Sequence, residues 1–212
     1  MSTPKHLLVY AIICMAIQTS VAQIVYPKGI YVSYEDFSKR KPSDTTTKFT
    51  LKPSANQDNV VRVYKAETTK RLKRNFAISD GQNLYVRIKQ VRKKFPSNDR
   101  NQMKDDGNYC IKVEQLGPSY IYFEDYFASS SSVIFGGIAG SVSRRLKGVV
   151  YGLKTLKFDL FKNAKDFKQF VKKNHPEKLE LIKSQENKDG RIKSTENIDL
   201  IRKIITELNT NN

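Results

Sequence analysis

The chain has 212 residues and carries 38 Lys and Arg against 21 Asp and Glu, a formal net charge of +17. Cys14 and His6 fall in the opening segment, which leaves Cys110 and His175 as the cysteine and histidine that follow it. One cysteine excludes an internal disulfide framework and one histidine excludes a metal centre built on imidazoles, so the expectation is a fold held by burial, with no cofactor and no metal.

Met1 to His6 is polar with one lysine, Leu7 to Ile17 is an unbroken apolar run, and Ser20 and Ala22 supply small residues for a peptidase. That order predicts a secretory signal peptide over residues 1–22 and a mature chain from Gln23. The run is roughly half the 20 or so apolar residues that a spanning helix needs, so no transmembrane span is expected in the mature chain. Ile13 ahead of Cys14 also argues against a lipoprotein signal. The expected location is the periplasm, the outer-membrane surface or the medium, and the exported length suits one ordinary domain or two small ones.

The expected fold class is α+β. An antiparallel β-meander over 23–128 is followed by a Gly/Ser-rich segment over 129–148, then a strand plus C-terminal helices over 149–212. Ile24 to Tyr34 reads as a short strand and turn, Glu35 to Arg40 as one helical turn, and Lys48 to Leu51 as a strand. Lys52 to Asn59 is loop by composition, and Val60 to Tyr64 is a strand. Leu72 to Ser79 and Leu84 to Val91 flank an Asp80-Gly81 turn, the signal of a hairpin. In the second arm Leu84, Val86 and Ile88 alternate with Tyr85, Arg87 and Lys89, which predicts one apolar face and one basic, exposed face. Asn108 to Gln115 and Ser119 to Phe127 continue the strands, and Gly148 to Phe161 reads as one more strand or hairpin. Asn163 is a helix N-cap, and the helix after it places Phe167, Phe170 and Val171 on one side. Glu177 to Ser184 continues as a second helix, and Ile198, Ile201, Ile205 and Leu208 mark a last one after Ser194 or Thr195.

Gly29-Ile30-Tyr31, Glu35-Asp36-Phe37, Ser79 to Tyr85, Glu114 to Gly117 and the aromatic Tyr120 to Phe123 together resemble an uncharacterised family of secreted or periplasmic proteins from Bacteroidota. The chain departs from the pattern at Ala77 and Pro118. The resemblance implies export and this span of fold, and no activity.

Three surfaces are candidates for binding. Between Arg62 and Lys104 stand 13 basic residues against Glu67, Asp80 and Asp99. Lys70, Arg71, Lys73 and Arg74 on one side, with Arg87, Lys89, Arg92, Lys93 and Lys94 on the other, are expected to form a basic face for lipopolysaccharide or acidic glycans, since clustered cations bind polyanions by releasing counterions. A solvated face that serves solubility is the competing reading. Tyr120 and Tyr122, facing outward from a strand, are candidates for stacking on sugar rings. Val133 to Val142, with Gly136 and Gly140 spaced for close helix approach, is a candidate for membrane-surface contact or internal packing.

The glycines match neither a phosphate-binding loop nor a dinucleotide fingerprint. His175 has no nucleophile elbow to serve. The favoured function is therefore a non-catalytic binding or structural envelope module, the alternative being a glycan hydrolase with Glu35 and Glu124 as its carboxylates.

Overall fold

The computed structural model describes residues 25–54, 57–100, 108–128, 144–184 and 194–210. The signal peptide expected over residues 1–22 and the Val133 to Val142 stretch lie outside the described residues.

The protein is α+β, with two antiparallel sheets and helices against the second. The first sheet has the order β1-β4-β5-β6-β3-β2, built from Gly29–Tyr31 (β1), Phe49–Ser54 (β2), Gln57–Lys65 (β3), Ala77–Ser79 (β4), Leu84–Arg87 (β5) and Cys110–Lys112 (β6). The order is not sequential, because β6 inserts between β5 and β3 and β4 carries β1 at the edge. Lys52 to Asn59, expected as loop, belongs mostly to the β2–β3 hairpin, which pairs Phe49 with Lys65 and closes at Ser54 and Gln57. The Asp80-Gly81 hairpin forms as expected, pairing Ala77 with Val86 and Ser79 with Leu84. Asp80 Oδ1 accepts from the backbone N–H of Gln82 (2.8 Å) and of Asn83 (2.7 Å), which fixes the turn.

Helix α1 spans Tyr34–Ser38 between β1 and β2. Ser33 caps it reciprocally: its hydroxyl accepts from Asp36 N–H, and Asp36 Oδ2 accepts from Ser33 N–H. The cap turns Phe37, which is fully buried, into the main core.

The second sheet is a true meander, β10-β9-β8-β7, from Gln115–Leu116 (β7), Tyr120–Ala128 (β8), Arg144–Gly152 (β9) and Lys157–Phe161 (β10). The β8–β9 pairing runs unbroken from Tyr120 opposite Gly152 to Ala128 opposite Arg144. The segment after 143 therefore completes a sheet begun before 128. Period-two alternation gives this sheet two apolar faces. Ile121, Phe123 and Phe127 on β8, Val149 and Tyr151 on β9, and Leu160 on β10 pack against the first sheet and Phe37. Tyr122, Val150 and Phe161 point the other way, under the C-terminal helices.

Two short helices follow β5, α2 (Ile88–Arg92) and α3 (Ser97–Arg100), and those over the second sheet are α4 (Ala164–Asn174), α5 (Leu179–Lys183, after a short 3-10 turn at Pro176–Lys178) and α6 (Ser194–Thr210). Asn163 Oδ1 accepts from Asp166 N–H at 3.0 Å, the cap the sequence predicts. Phe167, Phe170 and Val171 from α4, Ile182 from α5, and Ile201, Ile204, Ile205 and Leu208 from α6 close the second core over the sheet.

Candidate functional site

The basic face begins at β5, where the sequence reading needs a correction. Leu84–Arg87 is buried along its whole length. Leu84 and Val86 face the main core. Tyr85 faces a second apolar cluster on the opposite side, with Ile30, Val61, Val63, Ile78 and Cys110. Leu72 packs on this second face and its N–H donates to Val63 O at 2.9 Å. Alternation puts Arg87 on the same side as Tyr85, and that side is roofed by the Leu72–Asn75 segment. Arg87 is consequently 0% exposed. The strand also ends there, because Ile88–Arg92 forms a helix, α2, that turns Ile88 and Val91 inward three residues apart. Lys89 is thus presented by a helix and not by a strand.

The buried guanidinium works as a brace. Arg87 Nε donates to Asn75 O and to Asn75 Oδ1, both at 3.1 Å. Its Nη2 donates to Leu72 O at 2.6 Å and to Asn75 Oδ1 at 2.5 Å. It holds both ends of a short loop whose two middle residues, Lys73 and Arg74, are exposed. Arg87 Nη1 is buried and makes no hydrogen bond among the described residues. Cys110 lies nearby, accepting from Asn75 Nδ2 at 3.8 Å. Burial pushes its thiol pKa up while Arg87 pulls it down, and it is fully buried, as the sequence reading expects of an inert thiol.

Around this brace, Lys70, Lys73, Arg74, Lys89 and Lys93 are exposed and, among the described residues, their side chains make no ion pair or hydrogen bond. Three others have work to do. Arg71 Nη2 donates to Asn108 O at 3.0 Å, and Arg92 Nε donates to Arg100 O at 2.9 Å. Lys94 Nζ sits 3.9 Å from the centroid of the Tyr34 ring, a cation–π contact that lays the side chain on α1. The nine-residue set of the sequence reading therefore divides into a buried brace, three tethered cations and five free ones.

The tyrosine surface does not exist as expected. Tyr122 is fully buried, and Tyr120 is half-buried with its ring 5.6 Å from that of Phe170 on α4. Neither faces water as a stacking platform, because α4 to α6 cover that face of β8. The covering depends on β9: a Cβ at Gly148 would stand 2.7 Å from Cε2 of Tyr122, so only glycine admits the ring. Tyr120 instead pairs its hydroxyl with His175 Nε2 at 2.6 Å.

Glu124 is also buried, at 2% exposure. Both of its oxygens are engaged. Oε1 accepts from Tyr122 OH and Arg202 Nε, and Oε2 from Arg202 Nη2, each at 2.7 Å. Burial, with the Glu124 carboxylate alongside, holds the Tyr122 hydroxyl far above the usual tyrosine range. Glu35 lies exposed on α1, paired with Lys39. The two carboxylates serve separate local structures.

One groove of about 600 Å³ runs between β10 and α4. Lys157, Asp159, Lys162, Asp166 and Lys173 bring charge to it, over Leu160, Phe161 and Phe170, and Asp166 is engaged with Lys162, accepting from its backbone N–H at 3.1 Å and standing 4.0 Å from its Nζ. Lys162 is committed to Asp99 at 3.0 Å. Among the described residues, the side chains of Asp159, Lys157 and Lys173 make no hydrogen bond or ion pair. Asp159 is exposed on β10, yet the groove wall desolvates its carboxyl in part and raises its pKa, with Lys173 and Lys157 acting in the opposite direction. No signal in the sequence marked this site, since its residues come from a strand and a helix that the chain joins by a short turn.

No family model, curated protein or solved structure matches the chain. Among the described residues no group of three or more His, Cys, Asp or Glu is placed to hold a metal, and no helix is long and apolar enough to cross a membrane.

Proposed function

We propose that the protein is an exported, non-catalytic binding module that takes anionic polymers of the cell envelope, lipopolysaccharide or acidic glycan, on the face made by the Lys70–Arg74 loop and helix α2. The observation that carries this is the brace. Among the described residues the Arg87 guanidinium meets no carboxylate, yet it is buried to fix a loop that displays Lys73 and Arg74, and the next helix and its C-cap display Lys89 and Lys93. Burying a charge costs several kcal/mol unless its hydrogen bonds repay it. A face that served solubility alone would not need that loop held in place. The five free cations meet no protein carboxylate, so a polyanion gains their full attraction and releases its own counterions.

The test is binding of heparin and of purified lipopolysaccharide across a salt series. Five neutralised groups predict a loss on the order of 10² to 10³ in affinity between about 50 and 200 mM salt. Replacing Lys73, Arg74, Lys89 and Lys93 with serine should flatten that slope and leave the circular dichroism spectrum unchanged. Absence of binding at low salt, or binding indifferent to salt, refutes the proposal.

The hydrolase alternative would require Glu35 and Glu124 to share a substrate. Glu124 has both oxygens occupied beneath α6, so the geometry favours the binding module.

A further inference from the structure

We infer that the groove between β10 and α4 is a binding site for an acidic saccharide ring, with Asp159 accepting from ring hydroxyls and Lys157 and Lys173 holding the ring's anionic group. This site shares no residue with the basic face, and the inference does not rest on the function proposed for that face.

The charges in the groove select among ligand chemistries. Asp159 projects from β10 on the same side as Lys157, two residues away, and Lys173 reaches in from α4. None of the three has a protein partner among the described residues, although both lysines act electrostatically on the carboxyl. They are near enough to influence one another and too far apart to pair, which leaves a gap for something else. A bare anion such as phosphate would meet the lysines but also face Asp159. A simple cation would meet Asp159 between two ammonium groups. An apolar ligand would cover Asp159 and leave it without a hydrogen-bond partner, at a cost. A zwitterion would place its ammonium beside Asp159 and so against both lysines. Hydroxyl groups donate to a carboxylate without carrying charge, so a polyhydroxylated ring with one anionic substituent satisfies all three groups together.

The remaining surfaces fit the same ligand. Phe170 offers part of an apolar floor, suited to the C–H face of a sugar ring. Gln169 supplies an amide that makes no bond among the described residues. The volume of about 600 Å³ falls within the range of roughly 300–1,000 Å³ seen for small-molecule sites.

The experiment is calorimetric titration of the full chain with trigalacturonate, with neutral maltotriose and with the zwitterion glycylglycine, at physiological salt. The wild-type protein, Asp159→Asn, Lys173→Gln and the Lys73/Arg74/Lys89/Lys93→Ser variant are compared after circular dichroism shows each to be folded. Trigalacturonate should bind the wild type. Affinity should fall about tenfold or more in Asp159→Asn and in Lys173→Gln, and stay within about twofold in the basic-face variant. Maltotriose and glycylglycine should bind at least about tenfold more weakly than trigalacturonate. The inference is overturned by any of three results: a wild type that takes up no trigalacturonate, an Asp159→Asn variant that binds it unchanged, or glycylglycine binding as well as the sugar. Trigalacturonate binding removed by the basic-face variant alone also overturns it, while supporting the polyanion face.

Discussion

Glu124→Gln preserves side-chain volume and removes one negative charge from a position that is 2% exposed. In the native protein this carboxylate takes three hydrogen bonds at 2.7 Å, two of them from the Arg202 guanidinium. Glutamine keeps one acceptor oxygen, which can serve Tyr122 or Arg202 but not both nitrogens of Arg202 as well. Its amide nitrogen then meets a donor. A hydrogen bond to a charged group contributes about 1.5–3 kcal/mol. Losing one and weakening a second is partly offset by the lower cost of burying a neutral amide. Arg202 is 45% exposed at its side chain and regains water, so no cation is stranded. The net expectation is about 2–3 kcal/mol, or roughly 6–9 °C in melting temperature for a chain of this size. Thermal unfolding followed by circular dichroism measures it, with Arg202→Met and the double variant completing a cycle. A fall below about 2 °C for Glu124→Gln, with no coupling in the cycle, would show that the pair contributes nothing and that the reasoning from its burial is wrong. The same variant should leave binding of heparin and of trigalacturonate unchanged.

Gly148→Ala puts a methyl group against the Tyr122 ring and should lower the melting temperature by several degrees, since overpacking a closed core costs about 1–3 kcal/mol; an unchanged melt would show that the ring has room to shift. Stability should also fall in acid. In Asp36 and Asp80 burial raises the pKa, but hydrogen bonds outweigh it, from Ser33 and Ser43 for Asp36 and from Asn83 and Gln82 for Asp80. Asp44 is lowered by bonds from Thr47 and Thr46. A carboxyl whose pKa is lower in the folded state stabilises the fold above its unfolded pKa, about 3.9, and loses that contribution as pH falls through the folded value. Urea midpoints should therefore hold near pH 6 and drop below about pH 4, with a shallower drop in Asp80→Asn; midpoints flat down to pH 2.5 would contradict this.

Local chemistry was readable in the sequence, and burial was readable only in part. The Asp80-Gly81 hairpin, the Asn163 cap and the helix spacing of α4 and α6 depend on residues within a few positions of one another, and each forms as expected. Arg87 shows the limit. Its alternation with Val86 was visible, but the cover over it comes from Leu72–Asn75, some 12 to 15 residues back. An alternating strand does not announce which of its faces is wet. Ile88 and Val91 did carry a helical spacing that competed with the strand pattern. The tyrosines of β8 were misplaced for a related reason: Glu124 finds Arg202 at a separation of 78 residues. The signal that was present is pairwise. Gly148 and Gly152 sit four apart on β9, opposite Glu124 and Tyr120. Missing side chains on one strand next to tyrosines on its neighbour point to rings lying flat beneath a cover.

Asn209 carries a consequence for how the chain becomes folded. Its side-chain amide mimics a strand residue: Oδ1 accepts from Tyr120 N–H at 2.9 Å and Nδ2 donates to Tyr120 O at 3.1 Å, 89 positions away. Gly117 makes room, since a Cβ there would overlap the Asn209 side chain. Until Asn209 and Arg202 have emerged, β8 has a buried carboxylate without its counterion and an edge without its partner. A nascent chain that has not yet reached Arg202 therefore lacks the groups that close the second core over β8, and closure waits for α6.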